Sequence, residues 1–222
     1  MEFHKPELIL FDLDGTLVDS VPDLALAIDL MMDDLNLPRR GTEAVLNWVG
    51  NGIETLVHRA ITNDLNACAD DVIFTRAMPI FSDHYARVNG IRSHLFDGVN
   101  EGLVYLQGQA YRLGCVTNKA RAFTLPLLDT LGISKWFEVI VCGDDLIVKK
   151  PDPLPLLTAA KSVGADPTRS LMIGDSVSDV RAARAAGFQI ICMSYGYNHG
   201  EDIRSLNPDA VINSMAELKQ FI

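Results

Sequence analysis

Apolar and polar positions along the chain alternate between two textures. Short continuous apolar runs occur at 8–11, 113–116, 139–141, 171–173 and 190–193, with a weaker one at 210–212. Runs this short, with no polar alternate position, predict strands buried on both faces. Between most of them lie stretches with helical apolar spacing, at 103–110, 123–131, 154–163 and 180–186. Three of these meet a glycine at once, Gly132, Gly164 or Gly187, the residue that most easily takes the left-handed turn ending a helix. Strands alternating with helices predict an α/β fold, a parallel sheet with helices on both faces.

Residues 20–89 break the alternation, because only helical spacing is found there. Leu24, Ile28 and Met31 form one apolar stripe; Ile53, Leu56, Val57, Ala60 and Ile61 form a second; Ile73, Ala77, Ile80, Phe81, Tyr85 and Val88 form a third. Ser20, with Asp23 three residues on, reads as a capping arrangement for the first of these helices. The stripes are core-packing faces of a helical bundle inserted after the first strand. No internal repeat or low-complexity linker divides the chain.

At 222 residues the chain can form one large domain or a core domain carrying a smaller one. With 48% hydrophobic and 22% charged residues it has ordinary globular composition. No apolar run approaches the roughly 18 residues of a membrane span. The opening Met1-Glu2-Phe3-His4-Lys5-Pro6 has no cationic segment leading into an apolar one, so a cytoplasmic protein without a membrane partner is expected. Nineteen Lys and Arg against 29 Asp and Glu leave a net charge of −10. Such a body repels polyanions, so no nucleic-acid partner is expected, and a small phosphate substrate needs a local positive site. Cys68, Cys115, Cys142 and Cys192 lie far apart without metal-ligand or disulfide spacing. Three of them adjoin apolar runs and are expected as buried thiols.

Polar residues collect directly after the apolar runs. The first ends in Asp12-Leu13-Asp14-Gly15-Thr16, the second in Thr117-Asn118-Lys119, and the fourth in Gly174-Asp175-Ser176 with Asp179 following. In an open parallel sheet the carboxyl ends of the strands share one edge, where ligands bind. One convergent site is therefore predicted. An extended Asp-x-Asp puts alternate side chains on one side, so Asp12 and Asp14 are both expected to face it. Asp12, Asp14 and Asp175 brought together repel by several kcal/mol per pair at an effective dielectric of about 20. Either their pKa values rise or a cation joins them, and magnesium, a hard cation suited to carboxylates, phosphate and water, is the natural candidate. Lys150, in Lys149-Lys150-Pro151-Asp152-Pro153, adds fixed positive charge, whereas Lys149 reads as a solvated surface residue. Plainer readings exist: Asp-Gly is a common turn, Thr117-Asn118 can cap a helix, and Gly174-Asp175-Ser176 can be an ordinary strand-to-helix loop. Four such elements in order, three directly after buried strands, weigh toward a site.

Competing motifs fail on spacing. An EF-hand loop needs Gly at its sixth position, but Gly15 is fourth from Asp12. There is no Walker A sequence, Gly50-Asn51-Gly52 lacks the third glycine and the preceding strand of a dinucleotide fingerprint, and Ser176 is not in a G-x-S-x-G context. His4, His58, His84, His94 and His199 are scattered and read as surface or satisfied core residues.

At these motifs the sequence resembles the haloacid dehalogenase superfamily, and within it the phosphoglycolate phosphatases. Phe11-Asp12-Leu13-Asp14-Gly15-Thr16-Leu17-Val18-Asp19-Ser20 is similar to the first motif, Val116-Thr117-Asn118-Lys119 to the second, Lys150-Pro151 to the third, and Gly174-Asp175-Ser176 through Asp179 to the fourth. Likeness to the phosphoglycolate group lies in Thr117-Asn118-Lys119, Lys150-Pro151-Asp152-Pro153 and Tyr195-Gly196-Tyr197-Asn198-His199-Gly200. Phe96-Asp97-Gly98-Val99 departs from the Tyr-Pro-Gly-Val often found in related proteins. The resemblance implies a Rossmann-like catalytic core over residues 1–17 and 91–222 with an α-helical cap at 18–90. It implies a magnesium-dependent phosphomonoester hydrolase for a small phosphorylated metabolite, 2-phosphoglycolate first, working as monomer or homodimer.

By the same resemblance Asp12 is the nucleophile that forms an aspartyl phosphate and Asp14 the general acid and then base. Magnesium is expected on the Asp12 carboxylate, the Asp14 backbone carbonyl and Asp175, with Ser176 and Asp179 supporting it from outside. Thr117, Asn118 and Lys150 are expected to hold phosphoryl oxygens. For the substrate carboxylate, candidates are the amides of Gly50-Asn51-Gly52 or one of Arg39, Arg40, Arg59 and Arg76. A phosphomutase or a phosphatase for a small sugar phosphate is the nearest alternative, and a non-catalytic phosphate-ester binder the different-class one. A dehalogenase needs neither Asp14 nor a metal and is disfavoured.

Overall fold

The computed structural model describes residues 5–222; Met1 to His4, and with them the expectations placed on the opening segment and on His4, lie outside the described residues. In chain order the elements are β1 (Leu8–Phe11), β2 (Val18–Asp19), α1 (Val21–Asp34), α2 (Gly41–Leu46), α3 (Ile53–Thr62), α4 (Asp71–Val88), β3 (His94–Leu95), α5 (Val99–Gly108) and β4 (Leu113–Val116). There follow α6 (Arg121–Thr130), β5 (Val139–Val141), α7 (Leu154–Val163), β6 (Ser170–Gly174), α8 (Val177–Ala186), β7 (Gln189–Met193) and β8 (Ala210–Ile212).

Six strands form one sheet in the order β5-β4-β1-β6-β7-β8, and every pairing in it is parallel. Alternation along β1 explains why its whole run is apolar. Ile9 and Phe11 face a cluster with Leu103, Leu106, Leu127 and Leu128 of α5 and α6. Leu8 and Leu10 face the other side, where Leu156, Ala159 and Ala160 of α7 meet Ala182 and Ala183 of α8. Each fully buried Leu, Ile or Phe contributes about 1.5–3 kcal/mol relative to exposure, so β1 is the anchor of both layers. The chain runs outward from β1 to β4 and β5, then returns across it to β6, β7 and β8. The strand order therefore reverses at the carboxyl end of β1, where open sheets bind ligands.

Helices α1 to α4 follow one another without an intervening strand of the main sheet and pack around Ile28, Met31, Val57, Phe81 and Tyr85. The chain enters and leaves this insert through a two-stranded antiparallel ribbon, β2 with β3, pairing Val18 with Leu95 and Asp19 with His94. Ribbon residues pair in the chain only two at a time, too short for a periodic signal, and α2 is a six-residue turn burying Val45 alone.

The expected Ser20–Asp23 capping box is not formed. Ser20 starts α1 without a side-chain cap, and its hydroxyl is buried without a partner. Asp23 is drawn instead to the exit of the insert: its carboxylate accepts from Gly90 N, Arg92 N and Ser93 N, each at 2.9 Å, and from Ser93 Oγ at 2.6 Å. A local spacing rule was overruled by four tertiary donors. Gly98 precedes α5 at φ +83°, and a Cβ there would lie 2.0 Å from Ser214 Oγ. The departure at Asp97 thus leaves the glycine turn intact.

Candidate active site

Asp12 is the first residue beyond β1, flanked by β4 and β6 through the register Phe11–Cys115 and Phe11–Ile173. Its backbone N–H donates to Ile173 O at 2.9 Å, so the ladder with β6 carries it to the reversal point. Thr117 follows β4 and Asp175 follows β6, placing one polar side chain after each of the three central strands. Gly15 makes the turn after Asp14 at φ +89°, and an added Cβ there would meet Asp175 Oδ2 at 2.4 Å. Asp12 and Asp14 both line a cleft of about 30 Å³ with Thr117, Asn118 and Lys119. That is room for about two waters. Gly50 and Gly52, ahead of α3, close the cleft from the insert.

Lys150 is buried, and its ammonium lies 2.9 Å from Asp12 Oδ1 and 2.6 Å from Asp179 Oδ1. Burial alone pulls an ammonium toward deprotonation, but Asp12 and Asp179 outweigh it and hold Lys150 charged. Asp179 Oδ2 accepts from Ser176 Oγ at 2.7 Å and from the N–H groups of Asp175 and Ser176, making the capping box that starts α8. Asp175 accepts from Thr16 Oγ at 2.6 Å and from Tyr197 N at 2.7 Å. Gly196 permits that approach, since a Cβ would stand 2.0 Å from Asp175 Cβ.

Burial pushes Asp12 up to about 7, with Lys150 opposing and Asp179 adding to the rise. Burial, then Asp179 and Asp12, drive Asp175 well above the ordinary carboxylate range. Crowded acids lifted in this way are the mark of a place prepared for positive charge. One carboxylate oxygen from each of Asp12, Asp175 and Asp179 lies within 4.8 Å of the others. Three hard oxygen donors around one point fit a magnesium-type ion and ill suit a soft metal.

The sequence-predicted residues of the core meet at this cleft, and the structure shows what else several of the candidates touch. The Asn118 side chain staples two loops: Nδ2 donates to Lys150 O at 3.0 Å and to Gly50 O at 3.3 Å, and Oδ1 accepts from Lys150 N at 3.0 Å. It is thus engaged with backbone. The arginines considered for a carboxylate do not line the cleft. Arg39 pairs with Asp33 outside, Arg40 binds Ala60 O and Ile61 O, Arg59 binds Trp48 O and Leu65 O, and Arg76 is exposed. Lys149 stays at the surface, partly exposed, and pairs with the mostly exposed Glu54 of α3 at 3.2 Å.

Two contributors carried no role in the sequence reading. Lys119 Nζ lies 3.1 Å from Asp14 Oδ1 and 2.5 Å from Tyr85 OH. Tyr85 belongs to α4 and is fully buried, its hydroxyl pushed up by burial to about 12. Lys119 stands in a motif quoted for resemblance, but nothing in spacing ties it to a tyrosine 34 positions upstream. Cys115, Cys142 and Cys192 are buried free thiols as expected, and Cys68 is exposed.

A six-stranded parallel sheet with a helical insert and an acid–lysine cluster at its reversal point defines a hydrolase of the haloacid dehalogenase kind. The chain belongs to the haloacid dehalogenase-like hydrolase family, whose model matches residues 9–193. Within it the chain stands among phosphatases. It is 55% identical over 218 residues to a phosphoglycolate phosphatase of Nitrosococcus oceani, covering 98% of this chain and 97% of the relative. It is 42% identical to a phosphoglycolate phosphatase of Nitrosospira multiformis, covering 100% and 98%. A crystal structure described as a predicted phosphoglycolate phosphatase from Haemophilus somnus superposes with a TM-score of 0.92 at 34% identity, over 98% of each chain. Among the described residues no helix is long and apolar enough to cross a membrane.

Proposed function

We propose that the protein hydrolyses 2-phosphoglycolate to glycolate and phosphate through an aspartyl-phosphate intermediate, with magnesium as cofactor. The observation that carries the reading is Asp12 at the strand-order reversal, held by buried Lys150 and backed by Asp175 and Asp179. Relatives of full length named phosphoglycolate phosphatase support the substrate.

In this mechanism an Asp12 oxygen attacks phosphorus and the ester O–P bond breaks, while Asp14 gives a proton to the departing glycolate oxygen. Asp14 then takes a proton from water, which attacks the phosphorus of the acyl phosphate; phosphate leaves and the Asp12 carboxylate returns. Lys150 favours the ionised form of the nucleophile against the effect of burial and offsets charge on the transferring group. Thr117 lies on the cleft wall to receive a phosphoryl oxygen. Asp12, Asp175 and the Asp14 backbone carbonyl would hold magnesium, with Asp179 and Ser176 behind them. The ion would supply positive charge to the phosphoryl oxygens. Residues 18–90 would act as a cap over the core of 1–17 and 91–222, excluding water when closed. The cleft lies between the core loops and Gly50, Gly52, Ile53 and Leu56 of the insert, so movement of the cap would open it to substrate and close it again.

The test is phosphate release from 2-phosphoglycolate and a panel of sugar phosphates, with magnesium and with chelator. The proposal predicts magnesium-dependent preference for 2-phosphoglycolate. Isomerised sugar phosphate in place of free phosphate would overturn it in favour of a mutase, and no turnover of any ester in favour of a binder.

A further inference from the structure

The cleft contains a buried cation that the mechanism above does not use. We infer that the ammonium of Lys119 is the receptor for the carboxylate of the substrate, an assignment that rests on the phosphoglycolate reading and specifies it.

An ammonium carries three donors. Lys119 is 4% exposed and lines the cleft; its donors meet Tyr85 OH and both carboxylate oxygens of Asp14, at 3.1 and 3.2 Å, so a carboxylate oxygen arriving from the cleft would take over one of the two Asp14 contacts. Among the described residues lining that cleft it is the sole cationic side chain. Lys150 is spoken for by Asp12 and Asp179. A carboxylate moved out of water into this space without a cation would carry a large desolvation cost, and Lys119 is the cation in the lining that offsets it.

The chemistry of the ester fixes where the carboxylate falls. The leaving oxygen must lie beside Asp14, which protonates it, and in phosphoglycolate the carboxylate is one methylene beyond that oxygen. Lys119 Nζ is itself 3.1 Å from Asp14 Oδ1, so the acid and the ammonium bracket the glycolate unit. Leu24, Val49, Ile53 and Leu56 complete the wall. They suit a methylene and offer no side-chain partner to sugar hydroxyls, so the same wall disfavours a polyol phosphate. Tyr85 reaches in from α4 and fixes the ammonium from the insert side, so the carboxylate site is assembled from core and cap together.

The experiment compares kcat/KM for 2-phosphoglycolate and ethyl phosphate, which differ by a carboxylate in place of a methyl, in wild type, K119M, K119Q and K119R with magnesium. Wild type is expected to prefer 2-phosphoglycolate by about 100-fold or more. K119M is expected to lose most of that ratio, its decline on ethyl phosphate being only a few-fold, while K119R recovers part of it. K119Q keeps an N–H donor for Asp14 and Tyr85, carries the same expectation, and serves if K119M does not fold. A wild-type preference that survives K119M and K119Q overturns the inference and leaves the function standing. Equal losses on both esters also overturn it, because Lys119 would then act only through Asp14. A wild type indifferent to the carboxylate overturns the phosphoglycolate reading itself, and this assignment with it.

Discussion

Lys150 sits between two carboxylates in a place almost without water, and each of the three is tolerable there only because of the others. Its side chain is 2% exposed, with the ammonium 2.9 Å from Asp12 and 2.6 Å from Asp179. Replacing it by alanine leaves Asp12 beside Asp179 with no cation, which favours the protonated and therefore non-nucleophilic form of Asp12. K150A is expected to lower kcat/KM by at least about 100-fold, measured by phosphate release; wild-type kinetics would move the positive role elsewhere. Most of these residues were legible in the sequence, because a carboxylate, threonine or aspartate directly after a buried apolar run has one edge of the sheet to go to. Asn118 and Lys119 show the limit. Their identities were plain, but whether each faces ligand or protein depends on Gly50 and Tyr85, which arrive from the insert by tertiary folding.

Among elements, the join between insert and sheet depends on α1 more than on the ribbon. Asp23 at the start of α1 is fully buried and satisfies Gly90 N, Arg92 N, Ser93 N and Ser93 Oγ. Removing it strands three backbone donors in a turn of which Ser93 is buried and Gly90 partly so. D23A is expected to lower stability by about 3 kcal/mol, read by urea unfolding; a loss below about 0.5 kcal/mol, ordinary for a surface change, would contradict the role. The Lys149–Glu54 pair also links core loop and insert, but Glu54 is mostly exposed, and such pairs contribute little. The sheet strands and the ends of α6, α7 and α8 were legible from apolar runs and terminal glycines. Helix starts were not: α8 begins at Val177, ahead of its apolar stripe, because the Ser176–Asp179 box caps it. The α1 box failed because Asp23 had better partners. Capping spacing in sequence does not reveal which acid has a tertiary claim on it.

For the whole molecule, acids crowded at the reversal point couple proton binding, cation binding and stability. Asp12, pushed up to about 7, and Asp175, also raised, hold protons in the metal-free fold at pH values where the unfolded chain has released them. The folded state then binds more protons than the unfolded one, so their contribution is fully present at low pH and falls as pH rises toward about 7. A divalent cation replaces those protons. Magnesium is therefore expected to raise Tm more at about pH 8 than at about pH 5, measured by calorimetry; an equal or smaller shift at the higher pH would contradict the site. The central claim is that Asp12 itself becomes phosphorylated during turnover. Its most direct measurement is rapid acid quenching of enzyme with 2-phosphoglycolate and magnesium, followed by mass spectrometry of the peptide containing Asp12. A transient phosphoryl group on Asp12, absent from an Asp12→Asn variant that folds but does not turn over, is the predicted result. Phosphate release with no labelled enzyme, or wild-type turnover by that variant, would contradict the account.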